Sequence, residues 1–147
     1  MERTERVVIG LGTVVMVLFF IAIFVLATGF GIDVPGCVTE MKPFERDTLF
    51  QTGDKRYELH VIARMWAYQM PPVEIPAGSV VDIYLTSGDV VHGFHIDYTN
   101  VNLMAVPGTV TYARARFPQP GEYPIICHEY CGIGHQQMMG VVRVVQP

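Results

Sequence analysis

Charge is scarce in this chain: 16% of its 147 residues are Asp, Glu, Lys or Arg, while 50% are hydrophobic. That skew asks for a segment that lives in lipid, and the length leaves room for one domain plus such an element. A basic patch is also lacking. The net charge is −4, and past residue 30 there are 8 Lys and Arg against 12 Asp and Glu. Nothing is available to neutralise phosphates, which excludes a nucleic-acid partner. Cysteine is rare and odd in number, and three thiols do not make a framework of paired disulfides. Internal repeats and low-complexity tracts are absent.

The lipid segment stands at the start. Met1 to Arg6 is short and polar, and Val7 to Phe30 then runs without a charged residue. As a helix this run would span about 36 Å, enough to cross a bilayer with some tilt. A cleaved signal peptide has a shorter apolar core, roughly 7–15 residues, and a small-residue cleavage site. Residues 7–30 are therefore read as one transmembrane helix, with Gly10 and Gly12 serving helix packing. Arg3, Arg6 and the amino terminus lie on one side, and the first basic residue on the other is Lys42. That bias places residues 1–6 in the cytoplasm and the C-terminal domain outside the cell membrane, on the periplasmic side. Residues 31–53 read as a connector of Gly, Pro, Asp and mixed charges without a period, and Cys37 within it reads as a lone thiol.

From residue 54 to residue 147 the pattern is one of short strands. Tyr57, Leu59, Val61 and Ala63 alternate with Glu58, His60, Ile62 and Arg64, and Val81, Ile83 and Leu85 alternate with Asp82, Tyr84 and Thr86. Val73 to Ile75 is a short edge-like piece between Pro71-Pro72 and the turn Pro76-Ala-Gly78. Val110 to Phe117, Tyr123 to Cys127 and Met139 to Val145 are further strands, separated by turn residues. Six or seven such strands over about 100 residues predict an all-β, antiparallel sandwich or barrel.

The chemistry is concentrated in Cys127-His-Glu-Tyr-Cys131-Gly-Ile-Gly-His135-Gln-Gln-Met138. Thiolate and thioether are soft donors that suit copper, and imidazole suits copper or zinc. One more ligand is needed from outside the loop. His92, after the turn at Ser87-Gly-Asp89, is the candidate, because Greek-key connections can bring a strand end against the loop joining the last two strands. Two thiolates can bridge two copper ions, each with one terminal imidazole. Met138 would be a weak axial ligand on one, and the backbone carbonyl of Glu129 would serve the other. A closed ligand set favours electron transfer over substrate chemistry.

Other readings compete. Cys127 and Cys131 could pair as a disulfide in an oxidising compartment, which gives no reason for His135 and Met138. A structural zinc on His92, Cys127, Cys131 and His135 is formally complete but leaves Met138 idle. A mononuclear blue-copper site would leave one cysteine surplus. His95 should point elsewhere in an extended strand, His128 should face solvent, and His60 reads as structural or surface. Alternation sends Met139 away from Met138. Trp66 and Tyr68 read either as packing or as electron relays at a docking surface.

Taken together, Asp89-Val-Val-His92-Gly-Phe-His95 and Cys127 through Met138 resemble subunit II of haem–copper cytochrome c oxidases, the subunit with the dinuclear CuA centre. The similarity runs from the membrane helix to the C-terminus. One helix and the wording His-Gly-Phe-His resemble the B-family oxidases of some thermophilic and other prokaryotes. The resemblance implies a cupredoxin-like Greek-key sandwich after one transmembrane helix. It implies CuA ligands at His92, Cys127, Cys131, His135 and Met138, with the Glu129 carbonyl as sixth. It implies a partner subunit I, carrying haems and CuB, in which oxygen is reduced and protons are pumped, so that no oxygen chemistry falls on this chain. Cytochrome c or a similar soluble protein would be the electron donor. A CuA-bearing nitric oxide reductase and a membrane-tethered copper carrier are the alternative functions. Where the family often has a run of aromatics this chain reads Arg64-Met65-Trp66, leaving Trp66 as the residue through which electrons enter. Glu129 resembles the A-family pattern, in which that carboxylate helps bind magnesium between subunits; no such site is assigned here.

Overall fold

The computed structural model describes residues 2–29 and 36–146. Phe30, the last residue of the expected membrane helix, and residues 31–35 of the expected connector lie outside the described residues, as does Pro147. The chain divides into two compact units, Met1–Val34 and Pro35–Pro147.

The first unit is a single helix, α1, Arg3–Gly29. It starts ahead of the charge-free run because Glu5 caps it: its carboxylate accepts the Glu2 backbone N–H at 2.9 Å, the reaching-back half of a capping box. None of its residues is buried, and Phe19, Phe20 and Phe24 are each at least 67% exposed. Two of its hydroxyls fold back on the helix itself, Thr13 to the Ile9 carbonyl at 2.9 Å and, in the last turn, Thr28 to that of Phe24 at 2.8 Å. A helix apolar on every face, long enough to span and with these hydroxyls satisfied internally is built for a hydrocarbon surround. It is the membrane anchor of the chain.

The second unit is a sandwich of two sheets. The strands are β1 Gly36–Cys37, β2 Thr48–Gly53, β3 Arg56–Arg64, β4 Ala67–Gln69, β5 Val73–Pro76, β6 Ser79–Ser87, β7 His92–Ile96, β8 Asn102–Ala105, β9 Thr111–Phe117, β10 Gly121–Ile126 and β11 Met139–Val145. One sheet runs β1-β9-β6-β3-β2, with β4 added along the last three residues of β3. The other runs β5-β11-β10-β7-β8. After β6 the chain crosses to the second sheet for β7 and β8, returns for β9 and crosses again for β10. That alternation gives the two layers one shared core.

The expected alternation is what faces that core. Leu59, Val61, Ile83, Leu85, Phe94 and Ile125 are fully enclosed. On β9 the residues Ala113, Ala115 and Phe117 point inward, while Tyr112, Arg114 and Arg116 do not. Period-two patterning fixes which face is buried, and here it does.

Three features depart from the expectation. The sheets are mixed and not purely antiparallel: β3 runs parallel to β6 and β5 parallel to β11. Face alternation is the same in both directions, so it carries no information on strand sense. The expected connector 31–53 holds two strands. Of these, β2 turns into β3 through Asp54-Lys55, with Lys55 at φ +51°. Its pattern was weak because Leu49 packs against the core while Phe50 is exposed, and a register shift interrupts it between Gln51 and Gly53. The remaining surplus strands, β1, β4 and β8, are two to four residues long, too short to show a period.

For the site, the decisive region is the hairpin of β10 and β11. Its ladder runs from Gly121↔Val144 to Ile126↔Met139, and one more contact closes the neck, Cys127 N–H to the Met138 carbonyl at 3.4 Å. Residues 127–138 thus leave the sheet as a loop pinned at both ends. β7 lies beside β10 through Ile96↔Ile125 and His95↔Ile126, which sets His92 at the same pole. Phe117, 1% exposed and edge-on to Tyr123 with centroids 5.0 Å apart, locks the opposite end. Truncating Phe117→Ala should cost about 3–5 kcal/mol, read as a lowered denaturation midpoint of the full-length chain in detergent.

Candidate metal centre

His92 opens β7 and is fully buried. Its Nε2 pairs with Asp89 Oδ1 at 2.7 Å, which places the ring proton on Nε2 and leaves the Nδ1 lone pair free. That Nδ1 is buried with no hydrogen-bond partner. One ring nitrogen of His92 and the sulfurs of Cys127 and Cys131 all lie within 4.8 Å of one another, and Nδ1 is the nitrogen that Asp89 leaves untaken. The sulfurs are 3.7 Å apart, far beyond the ~2.05 Å of a disulfide, and both thiols are free.

The remaining expected donors sit against these sulfurs. His135 Nδ1 is 3.6 Å from Cys131 Sγ, Met138 Sδ is 3.9 Å from the same atom, and Cys127 Sγ is 3.2 Å from the Glu129 carbonyl oxygen. Met138 is 1% exposed and Met139 59%, so alternation separates the two neighbours. A three-residue 3-10 turn, His135–Gln137, swings His135 and Met138 to the inner side of the loop. The Glu129 side chain is exposed, and its carbonyl alone turns to the cluster.

Does this donor set fit a metal? An unpaired buried nitrogen costs about 1–3 kcal/mol, and nothing in the protein repays it here. A cation would. Two thiols, a thioether and imidazoles form a soft set of the kind copper takes, and a buried thioether against Cys131 has no part in a zinc site. Burial first, and then the adjacent Cys127 thiol, hold the Cys131 thiol well above its ordinary value. Loading a metal at neutral pH therefore has to expel that proton.

Two residues hold the site without belonging to the expected donor set. Asp89 receives His92 on one side, the Val90 N–H at 2.6 Å, and on its other oxygen the Met65 N–H at 2.7 Å. Burial opposes its ionisation, but these bonds outweigh it, and the carboxyl sits below its usual range. Gly93 is the second. A Cβ there would lie 2.6 Å from the His128 backbone nitrogen, so β7 and the metal loop meet where only hydrogen fits. The signals were in the sequence, an Asp three residues before a buried His and a Gly directly after it. Neither shows its role until the loop is in place.

Trp66 is 43% exposed, its indole N–H donates to the Cys131 carbonyl at 3.2 Å, and its ring lies over Gly134. Tyr68, by contrast, points inward from β4 with its hydroxyl on the Gly93 carbonyl at 2.6 Å. It is 9% exposed, against 43% for Trp66. His95 is occupied by the Val101 carbonyl at 2.9 Å and by Asp97 at 3.2 Å. His128 is exposed, and His60 pairs with Glu58 at 2.8 Å under a stacked Phe44.

A two-sheet sandwich after an apolar helix, with a His and two free cysteines clustered at one pole, defines a cupredoxin-like, membrane-anchored protein whose cluster could hold a metal ion. The family model for the periplasmic domain of cytochrome c oxidase subunit II matches residues 60–145, and the chain belongs to that family. A cytochrome c oxidase subunit 2 of Thermus thermophilus is 47% identical over 94 residues, 64% of this chain and 70% of that protein. A chain in a cryo-EM structure of a heme-copper terminal oxidase dimer is 48% identical, with a TM-score of 0.86 over 97% of this chain and 100% of that one. The periplasmic domain of subunit II of cytochrome oxidase from Bradyrhizobium japonicum is 19% identical with a TM-score of 0.56, over 60% of this chain and 83% of that one. That last likeness concerns the fold alone.

The Asp89–His92 pair makes a pH prediction. A carboxyl depressed in the folded state stabilises above its unfolded value, near pH ~3.9, and that contribution is lost as pH falls through the lower folded value. In urea unfolding of the metal-free chain, Asp89→Asn should be less stable by roughly 1–3 kcal/mol at pH 6. The gap to the parent should close progressively as the pH is taken below about 4.

Proposed function

We propose that this chain is the electron-accepting subunit II of a heme-copper terminal oxidase. In this reading His92, Cys127, Cys131, His135 and Met138, with the Glu129 carbonyl, hold a dinuclear CuA centre. The observation that carries it is the pair of unoxidised sulfurs 3.7 Å apart beside a buried, unpartnered His92 Nδ1. Copper bound in such a set supplies transfer of single electrons.

What the chain contributes is confinement. His92, Cys127, Cys131 and Met138 are at most 5% exposed, which keeps water and small ligands from the donors. Asp89 fixes the His92 tautomer and so aims Nδ1, and not Nε2, at the sulfurs. The closed neck at Cys127 and Met138 holds the loop to one shape, so a change of charge in the centre need move little. Trp66 is the residue by which electrons enter: it is half in solvent, and its N–H rests on the backbone carbonyl of Cys131, the residue that carries one of the donor sulfurs. Tyr68, the other aromatic candidate for this route, is buried, with its hydroxyl on the Gly93 carbonyl beside His92.

The soluble donor would be cytochrome c or a protein like it, reaching the domain on the outer side of the membrane with the amino terminus in the cytoplasm. The acceptor would be haem in subunit I, where the oxygen chemistry and proton translocation belong. A copper carrier has to hand its ion over at a surface, and four donors this enclosed are poorly placed to do so. Nothing in the site favours the nitric oxide reductase alternative.

Copper analysis and EPR of the full-length chain in detergent test the proposal. Two coppers per chain and a mixed-valence signal split equally by both nuclei are expected. Cys127→Ser or Cys131→Ser should abolish that signal, and Met138→Leu should keep both metals while shifting the reduction potential. Saturation at a single copper per chain would overturn the reading.

A further inference from the structure

The turn between β3 and β4 grips the metal pole with three consecutive residues. Arg64 closes β3 opposite Ala67, and Met65 and Trp66 make the turn itself. The Met65 N–H is on Asp89 Oδ2 at 2.7 Å, and the Trp66 N–H is on the Cys131 carbonyl at 3.2 Å. Two glycines serve as seats for the side chains. A Cβ on Gly134 would meet Trp66 Cγ at 2.6 Å. One on Gly88 would meet Arg64 Cζ, Nη1 and Nη2 at 2.6, 2.7 and 2.9 Å. Three such similar distances mean that the guanidinium lies face-on across Gly88, where only hydrogen leaves it room.

This seated cation is exposed and has no ion pair among the described residues. Asp89, next to its seat, spends its oxygens on His92, Val90 and Met65. Around the same turns Met65, Trp66 and Val90 are 49%, 43% and 39% exposed. Arginine, tryptophan and methionine are the side chains that protein interfaces favour, and arginine and tryptophan carry much of their binding energy. A planar guanidinium already held in place matches a carboxylate with two parallel hydrogen bonds. Resting on the reading of Trp66 as the entry residue, we propose that Arg64 selects the donor. Its guanidinium receives a carboxylate on the donor's contact edge and so brings that edge onto the Trp66 indole. The chain as a whole is acidic, with a net charge of −4, and its overall field draws cationic partners. Arg64 sets the opposite preference at the point of contact.

Trp66 is the chain's one tryptophan, so its fluorescence reads the charge beside it with no copper bound. In the copper-free full-length chain in a non-ionic detergent, Arg64→Gln should lower quenching by iodide and raise quenching by caesium. Each change should be roughly a third, with quenching by neutral acrylamide unmoved. Unchanged iodide and caesium quenching overturns the proposal. So does a rise with all three quenchers, which marks a displaced indole and a merely structural Arg64. In the copper-loaded chain, reduced and then mixed with a one-electron oxidant, the same variant should react more slowly with anionic ferricyanide. It should react faster with cationic tris(phenanthroline)cobalt(III). Each change should be roughly five-fold at low ionic strength and shrink as salt is added. Glu129, exposed on the loop, is common to parent and variant and cancels from these ratios. Rates that move together, or not at all, overturn the proposal. If the two-copper signal never forms, the copper reading fails and the quenching alone decides the role of Arg64. If it forms and the two oxidants respond alike, only the role of Arg64 falls.

Discussion

A folded protein rarely encloses several lone pairs together with too few protons to share among them. The pole formed by His92, Cys127, Cys131 and Met138 does this, and the surrounding architecture serves to hold the arrangement in place. Left free, the loop would turn its imidazole to water and its thiols apart. It is prevented from both by the β10–β11 neck and by the close approach of β7 at Gly93. The Asp89 carboxylate adds a third restraint by anchoring His92 from behind. The core of the sandwich can be seen as a rigid mount: its interlocked Phe94, Phe117 and β-branched residues set the distance between β7 and the hairpin, and that distance decides whether four donors converge or miss.

Two parts of the site meet at Asp89. The same carboxylate takes the Met65 N–H and the His92 ring, so the turn that presents Trp66 and the strand that presents a metal donor share one fixed point. Trp66 in turn rests on the Cys131 carbonyl. The exposed aromatic is therefore held from two directions by groups adjoining the centre, and its contact with the loop is a matter of hydrogen bonding as well as packing.

How much of this could be read from the residues follows from where each signal resides. The metal loop was legible because five donor-bearing positions fall in one short stretch and their chemistry does not depend on the fold. β11 was legible to the residue, Met139–Val145, and the inward faces of β3, β6 and β9 followed from alternation. Strand direction was not legible, since parallel and antiparallel neighbours alternate alike. β2 was hidden by adjacent apolar residues and a bulge, and β1, β4 and β8 by shortness. Asp89 and Gly93 were visible as letters but not as roles, because what they do is defined by a loop more than thirty residues away in the chain. Tyr68 was ambiguous for the same reason: β4 is three residues long, and only its pairing with β3 reveals which way the ring points.

The anchor helix offers a different lesson. The hydroxyls of Thr13 and Thr28 spend their protons on the helix's own backbone, and its glycines at 10 and 12 have open space around them. Such a rod brings few polar handles by which a neighbouring span might grip it within the bilayer. Any lasting companion in the lipid must recognise it by contour, through the fit of bulky phenylalanines into hollows, and swapping one large side chain for another should disturb that companionship more than removing a hydroxyl.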